Sequence, residues 1–177
     1  MEKKSNKRTT ARIESSDFRN FFIDQLKDVY WAEKALHKAL PRMRKAATDE
    51  RLMKTFEQHV NETKEQVIMV EEIFGMLGEK PEAKKCDAMA GLIKEAESAI
   101  EDTQHESYTR DAALIMAAQK AEHYEIASYG TLSVLALHMG ETEVAEMLQR
   151  ILAEEKQADV NLTILAEDCI NECAASE

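Results

Sequence analysis

Proline and glycine are scarce in this sequence, with two prolines and five glycines among 177 residues. β-Sandwiches and barrels need many turns, and turns are built largely from these two residues. Hydrophobic residues make up 44% of the chain and charged residues 32%, a mixture typical of a nearly all-helical protein. A chain of this length can bury a sizeable core as one domain. We therefore predict a single all-α domain.

Long apolar runs are also missing. No segment approaches the ~18 apolar residues of a membrane span, and no apolar region follows the basic start, so we expect neither a membrane helix nor a signal peptide. The three cysteines, Cys86, Cys169 and Cys173, form no Cys-x-x-Cys or Cys/His zinc pattern. They indicate reduced thiols in a cytoplasmic protein. A redox or soft-metal role for Cys169 and Cys173, one helical turn apart, stays open.

Positive charge is in short supply, and it is unevenly placed. The formal net charge is −11, and an acidic body repels nucleic acid and anionic membranes while it tolerates cations. Residues 1–12 hold five lysines and arginines against one glutamate. We predict a disordered basic tail over residues 1–14. A DNA-binding arm is a minority interpretation of this tail, and DNA is not an expected partner.

Apolar residues recur at spacings of three and four along four long segments, which is typical of amphipathic helices. Gly78 and Gly140 suit helix C-termini, and Pro41 should kink the first helix or end its regular part. Residues 173–177 are expected to fray. The predicted helices run from the Ser15-Ser16-Asp17 caps to a break at 48–50, over about 50–77, over about 110–139 and over about 141–171, with a shorter helix at about 87–103.

The lengths of the connections predict how these helices pack. Three short or moderate connections and one long one fit an antiparallel four-helix bundle with a crossover, as in ferritin-like folds. The short fifth helix lies in the crossover between helices two and three. No domain boundary is visible, so residues 15–172 are predicted to form a single ferritin-like bundle.

Each predicted long helix carries polar residues on its apolar stripe near mid-length. In the segment QKAEHYEIASYG, at 119–130, Glu122 and Glu125 lie within the roughly 100° sector that should face the core, whereas His123 points away from it. Mid-helix positions of an antiparallel bundle meet at one level. The corresponding residues are Glu33 on the first helix, His59, Glu62 and Gln66 on the second, and Glu155 and Asp159 on the fourth.

A cluster of five or six ionised carboxylates cannot be buried unpaired, because each would cost several kcal/mol of desolvation. Either some are protonated, with raised pKa values, or cations lie among them. Two divalent ions would supply four positive charges, and oxygen-rich ligands with one imidazole suit Fe(II) or Mn(II). A single glutamate on a stripe usually lies at its edge, and a single histidine is usually a core residue. The coincidence on four helices favours the metal site.

The chain resembles the YciE/YciF group of ferritin-like bacterial proteins over roughly residues 15–170. The resemblance rests on AEKAL (32–36), HVNETKEQ (59–66), RDAALIMAAQKAEHYEIASYGTL (110–132) and EEKQADVNLT (154–163). It implies a ferritin-like bundle, a homodimer rather than a cage, an association with the stress response and a carboxylate-bridged di-iron site like that of rubrerythrin.

Carried over by position, the resemblance implies that Glu62 and Glu155 bridge two iron ions per chain, with manganese or another divalent metal as a substitute. The usual Glu-x-x-His pattern is broken, because Glu65 and Ala158 stand where histidines are expected. The nearest imidazole is His59, three residues before Glu62. The full predicted ligand set is Glu33, His59, Glu62, Glu122, Glu125, Glu155 and Asp159.

Three functions are consistent with these residues. The first is a di-iron redox protein that oxidises Fe(II) with O₂ or H₂O₂, or reduces peroxide. In such a protein Tyr129, one turn after Glu125, could donate a hydrogen bond or an electron, or it could simply pack in the core. The second is a helical dimeric interaction or structural protein with a non-redox or vestigial metal site, since buried polar groups can set topology without chemistry. The third, a DNA-protecting mini-ferritin acting through its basic tail, conflicts with the net charge.

Overall fold

The computed structural model describes residues 16–177 as helices and short connections, with no strand in that range. The predicted basic tail lies outside the described residues. No helix among residues 16–177 has an apolar stretch long enough to cross a bilayer. The elements are α1 (Asp17–Ala46), α2 (Glu50–Met76), α3 (Asp87–Asp102), α4 (Tyr108–Met139) and α5 (Thr142–Leu165), followed by a π-helical turn (Ala166–Ile170) and α6 (Asn171–Ala175).

The helix ends follow the local chemistry that the sequence predicts. The Ser16 side chain accepts from the Arg19 amide at 3.1 Å, and Asp49 and Ser107 cap α2 and α4 in the same way. Gly140 ends α4 with φ +82°, a left-handed conformation that glycine adopts without strain. Pro41 does not end α1, which continues to Ala46.

Neighbouring long helices run antiparallel, as predicted. Asp111, near the start of α4, contacts Thr48, just after the end of α1. Arg51, near the start of α2, pairs with Asp168, beyond the end of α5, at 3.0 Å. The short connections at 47–49 and 140–141 make the pairs α1–α2 and α4–α5 antiparallel as well. The four long helices are therefore the antiparallel four-helix bundle of the ferritin-like fold.

The crossover between α2 and α4 runs along the outside of α1. It starts at the α1 N-terminus, where Arg19 pairs with Glu79 at 2.8 Å, and the Lys84 amide then donates to the Lys27 carbonyl at 3.1 Å. α3 continues in the same direction until Glu97 pairs with Arg42 near the other end of α1. The chain thereby returns to the end of the bundle at which α4 begins.

The C-terminal residues 173–177, which the sequence predicts to fray, are helical as far as Ala175 in the structure. α6 continues the α5 direction to Ala175 after the π-helical turn. The Glu177 carboxylate accepts from the Tyr108 and Thr109 amides at 2.7 and 3.0 Å. These amides belong to the first turn of α4, whose N–H groups have no partner within the helix. The end of the chain therefore caps α4.

Asp111 connects α4 to the loop between α1 and α2. Its side chain is completely buried, and its two carboxylate oxygens accept from the Thr48 and Asp49 amides, both at 2.7 Å. Asp111→Ala leaves the amides of the half-buried Thr48 and Asp49 without their acceptors and empties a buried site, so we expect a loss of about 2–4 kcal/mol in the free energy of unfolding. Urea denaturation measures this loss. Asp111→Asn keeps one acceptor and should lose less; equal losses would contradict the assignment.

A polar layer divides the bundle core into two apolar clusters. One cluster contains Phe22, Phe74 and Leu148, and the other contains Leu40, Phe56 and Leu114. The layer between them lies near the middle of all four long helices, where the sequence predicts the polar residues. The fold thus provides apolar packing at both ends of the bundle and isolates the polar layer from solvent.

Candidate metal centre

The polar layer brings together one residue or more from each long helix. α1 contributes Glu33, α2 contributes His59, α4 contributes Glu122 and Glu125, and α5 contributes Glu155; none of these is more than 4% exposed. One ligand atom from each of the residues of α2, α4 and α5 lies within 4.8 Å of the others. Glu33 joins the group because it is fully buried, its Oε2 has no hydrogen-bond partner, and its charge adds to the effect of burial in raising the pKa of Glu122 and of Glu125. We call these five residues the carboxylate cluster.

The two glutamates of α4 share a face because they are three residues apart on a helix. The same stripe carries the apolar residues Ile115, Leu132 and Ala136, all of which are buried. Packing of these apolar neighbours fixes the rotation of α4, and that rotation directs both carboxylates inward. The burial of this stripe and the exposure of His123 are both as the sequence predicts.

Buried polar atoms without a partner are concentrated in this one place. Within residues 16–177, eight buried side-chain atoms lack a hydrogen-bond partner. They are Glu33 Oε2, His59 Nε2, Gln66 Oε1, both oxygens of Glu122, both oxygens of Glu125, and Glu155 Oε2. Seven belong to the carboxylate cluster and the eighth to the adjacent Gln66. Since buried polar groups are almost always paired, this concentration requires either protons shared between the carboxyl groups or bound cations.

The cluster makes hydrogen bonds with two residues at its periphery, Tyr129 and Gln66. The Tyr129 hydroxyl, fully buried, donates to Glu33 Oε1 at 2.5 Å. The Gln66 side-chain amide donates to Glu155 Oε1 at 2.5 Å and to Glu154 Oε2 at 3.2 Å. The bonds to Glu33 and Glu155 each fix one carboxylate oxygen, and the other oxygen of each has no hydrogen-bond partner.

Electrostatics in the cluster oppose ionisation. Burial raises the pKa of Glu33, Glu122 and Glu125 well above the usual range, and the neighbouring carboxylates raise it further. Burial also raises the pKa of Glu155, to about 7, while the Gln66 amide acts in the opposite direction. Four carboxylates this close are stable at neutral pH only when they are protonated or when cations neutralise them.

His59 is neutral in this environment, because burial lowers its pKa to about 4. Its Nδ1 lies 3.2 Å from Glu122 Oε1, and its Nε2 lies 3.8 Å from Glu155 Oε2. With the proton on Nδ1, the lone pair of Nε2 points into the cluster. Neutral imidazole with a free nitrogen is the form that binds metal ions.

Two predicted ligands lie outside the cluster. Glu62 is half-buried at the edge of α2, where its carboxylate accepts from Gln58 at 2.7 Å. Asp159 is half-buried beside α4, where it accepts from Gln119 at 3.2 Å and lies 3.4 Å from His123. Both lie at the margins of their helices' inner faces, so the structure brings together five of the seven predicted residues and leaves these two at the periphery.

Gln66 is the inward residue that the predicted ligand set omits. It is 1% exposed, and the neighbouring inward residue Thr63 is fully buried. Along α2 the buried positions Phe56, His59, Thr63, Gln66 and Val70 follow each other at alternating spacings of three and four. This periodicity could be read from the sequence. It places Gln66 on the inner face of α2 and Glu62 at the edge of that face.

Tyr129→Phe tests the bond at the α1 side of the cluster. The substitution removes the only hydrogen-bond donor to Glu33 Oε1 among the described hydrogen bonds, while the ring still packs. We expect a loss of about 1–3 kcal/mol in the free energy of unfolding, because a buried carboxylate loses its donor. Thermal or urea denaturation measures this loss. Tyr108→Phe is the matched control, and an equal effect of the two changes would contradict the interpretation.

Together, an antiparallel four-helix bundle and a buried cluster of carboxylates and imidazole define a ferritin-like helical protein. The model of a family described as a domain of unknown function, DUF892, matches residues 17–175, and the chain belongs to this family. It is 44% identical over 157 residues to YciF of Escherichia coli K12, covering 88% of this chain and 94% of that protein. The resemblance to the YciE/YciF group is thereby confirmed.

Solved structures agree with this assignment. The crystal structure of the Escherichia coli stress protein YciF matches with a TM-score of 0.84 and 43% identity, covering 88% of this chain and 98% of that one. YcfI from Rhodopseudomonas palustris matches with a TM-score of 0.81 and 36% identity, covering 84% and 94%. A protein from Xanthomonas campestris, 24% identical with a TM-score of 0.69, shares the fold.

Proposed function

We propose that the carboxylate cluster binds two divalent metal ions, iron in preference, and that the protein oxidises Fe(II) with O₂ or H₂O₂ or reduces peroxide. The observation that carries this proposal is the set of eight unpaired buried polar atoms, all of them in or beside the cluster. Carboxylate oxygens and imidazole nitrogen are the donors that Fe(II) and Mn(II) take in proteins.

Charge balance supports two ions rather than one. The cluster contains four carboxylates and one neutral histidine, so full ionisation gives four negative charges in an almost water-free layer. Two divalent ions cancel this charge, whereas one ion leaves half of it uncompensated. The remaining charge would then require protonation of two carboxyl groups.

The residues of the cluster have separate roles in this proposal. Glu122, Glu125, Glu155 and Glu33 neutralise positive charge, and His59 Nε2 supplies the nitrogen donor. Bound iron would supply one-electron redox chemistry toward O₂ or peroxide. The anionic donors favour the higher-charged, oxidised ion. The Tyr129 hydroxyl holds a proton at Glu33 Oε1, and the apolar clusters on both sides exclude water.

The cellular setting of this proposal comes from the relatives. YciF of Escherichia coli is named a stress protein, and detoxification of peroxide or oxidation of free Fe(II) fits a stress response. We extend this role to the present chain, acting as a homodimer in the cytoplasm. A dimer has no interior for a mineral, so the function is redox chemistry rather than iron storage.

One observation favours a second candidate, a structural or interaction protein with a non-redox metal site. α2 directs Gln66 rather than a carboxylate into the cluster. An amide adds no negative charge, and its donation to Glu155 occupies an oxygen that a metal would otherwise use. Metal binding without oxidation of bound Fe(II) is the result that this candidate predicts.

Anaerobic titration with Fe(II), followed separately by O₂ and H₂O₂, distinguishes the two candidates. The proposal predicts saturation near two ions per chain and rapid oxidation of the bound iron, and the faster oxidant identifies the substrate. Binding without oxidation would support the structural candidate. No binding would contradict both. Glu146→Gln, a change on the exposed side of α5, is a control that should behave like the unmodified protein.

A further inference from the structure

The C-terminal end of the bundle contains two thiols that the carboxylate cluster does not use. Cys169 lies in the π-helical turn Ala166–Ile170, and Cys173 lies four residues later in α6. Both are half-buried and neither is in a disulfide. π-Helical turns interrupt the regular helix and occur often at functional sites. Here the turn places Cys169 against the N-terminus of α2.

A cation lies directly on one of the two thiols. The Arg51 guanidinium makes a hydrogen bond with Cys169 Sγ through Nη2. The same guanidinium is held by Asp49 at 3.2 Å and by Asp168 at 3.0 Å, while Asp49 Oδ2 lies 4.0 Å from the sulfur. Arg51 is therefore held by two carboxylates with its guanidinium against the Cys169 sulfur. A neighbouring arginine is a common feature of reactive cysteines.

Cys173 is close enough to act as a second thiol. The Cys169 sulfur contributes to a raised pKa of Cys173, after burial as the largest cause, so the two sulfurs lie near each other. Residues four apart on a helix have Cα atoms about 6 Å apart, within the range that a disulfide spans. A disulfide also requires the two Cβ atoms to come closer than they lie in a regular helix. The π-helical turn and the five-residue α6 are short segments whose backbone can adjust to allow this.

The environment favours redox chemistry over metal binding. A guanidinium on the Cys169 sulfur repels a cation that would bind there. Among the described residues, the group with metal-site geometry is the one in the carboxylate cluster and does not include these thiols. Two neighbouring thiols, one of them against a guanidinium, are the arrangement of a reversible dithiol, in which one sulfur reacts with an oxidant and the other resolves the product.

We propose that Cys169 and Cys173 form a peroxide-oxidised dithiol, with Cys169 as the attacking sulfur and Cys173 as the resolving thiol. The Cys169 thiol releases its proton as Sγ attacks one peroxide oxygen, the O–O bond breaks, and the hydroxide that leaves takes up that proton and becomes water. Cys173 Sγ then attacks the Cys169 sulfenic acid, the S–O bond breaks, and water leaves with the Cys173 proton. The two sulfurs lose two electrons, H₂O₂ becomes two waters, and a thiol reductant restores the pair.

Cys86 provides an internal control. It is 2% exposed, caps α3 by accepting from the Met89 amide at 3.3 Å, and donates to the Tyr124 hydroxyl at 3.2 Å. Burial raises its pKa. A buried thiol with these contacts reacts slowly with peroxide. The same sample therefore contains two thiols that should react and one that should not.

The test is peptide mass spectrometry of the full chain after treatment with a small excess of H₂O₂ and alkylation of the remaining thiols. The unmodified protein should form an intramolecular Cys169–Cys173 disulfide that dithiothreitol reverses, with Cys86 alkylated. Cys173→Ser should leave a sulfenic acid at Cys169 that dimedone traps. Cys169→Ser should abolish oxidation at Cys173. Arg51→Gln should slow oxidation of Cys169 about tenfold, since it removes the positive charge beside the reacting sulfur.

Other outcomes would overturn the proposal. Oxidation of Cys86 as fast as Cys169, or oxidation of Cys173 at an unchanged rate in Cys169→Ser, would show general peroxide damage. A disulfide between two copies of the chain would show an intermolecular reaction. Circular dichroism of each variant shows whether the bundle is folded.

Discussion

Glu122→Gln is expected to lower the divalent metal bound by the purified protein from about two ions per chain to one or fewer. Glutamine has nearly the same shape but no charge, so the bundle can still pack around it. Both Glu122 oxygens are buried without a hydrogen-bond partner, and the His59 ring lies 3.2 Å away. Loss of this anionic donor at the centre of the cluster removes both a ligand and a quarter of the neutralising charge.

Elemental analysis after loading with Fe(II) and removal of free metal measures this change. Glu62→Gln is an informative comparison, because Glu62 was predicted as a ligand from the sequence but lies at the edge of α2 in the structure. We expect the metal content of Glu62→Gln to differ from that of the unmodified protein by no more than about a fifth. A full loss in Glu62→Gln together with no loss in Glu122→Gln would contradict the assignment of the centre.

The second prediction is that Glu122→Gln raises the stability of the metal-free protein and lowers the stability of the metal-bound protein. Without metal, burial and the carboxylates of Glu155 and Glu33 raise the pKa of Glu122, so its charged form destabilises the fold. Glutamine removes this penalty, and we expect the metal-free variant to gain about 1–3 kcal/mol in the free energy of unfolding at pH 8. With metal, the same variant should be less stable than the unmodified protein, because it binds metal more weakly.

The pH dependence of the metal-free protein gives the control for this prediction. A carboxyl group with a raised pKa in the fold binds more protons folded than unfolded, so stability falls as pH rises above 4.5 toward the folded pKa. For Glu155 that folded pKa is about 7. The advantage of Glu122→Gln should therefore be smaller at pH 5 than at pH 8. Urea denaturation with and without a chelator measures the stability of the metal-free and the metal-bound protein. If Glu122→Gln were less stable than the unmodified protein in every condition, the account would be contradicted.

Much of the fold could be predicted from the sequence because its signals are local. The caps at Ser16 and Gly140 and the break at 48–50 lie where the sequence places them, and the connection lengths indicate the ferritin-like topology. The inward rotation of Glu122 and Glu125 also follows from apolar neighbours on the same helix. Such features depend on spacing along one helix, which the sequence contains.

The structure departs from the predicted ligand set by angles of roughly 60–70° around a helix. Glu62 and Asp159 lie about that far from the centres of their inner faces. The spacing to one apolar neighbour does not separate such positions from inward ones, although the full periodicity of α2 from Phe56 to Val70 does. The packing of the helices determines which of these positions face the core. On α2 it turns Gln66, rather than Glu62, inward. The Asp111 contact with the α1–α2 loop and the Glu177 cap of α4 depend on tertiary proximity over more than sixty residues, which spacing does not encode.

The most direct test of the central claim is to crystallise the protein with Fe(II) under anaerobic conditions and locate the metal by anomalous scattering at the iron edge. The account predicts two anomalous peaks per chain, about 3.5–4 Å apart, among Glu33, His59, Glu122, Glu125 and Glu155. Saturating iron with no peak in the carboxylate cluster, and its carboxyl groups hydrogen-bonded to each other instead, would contradict it.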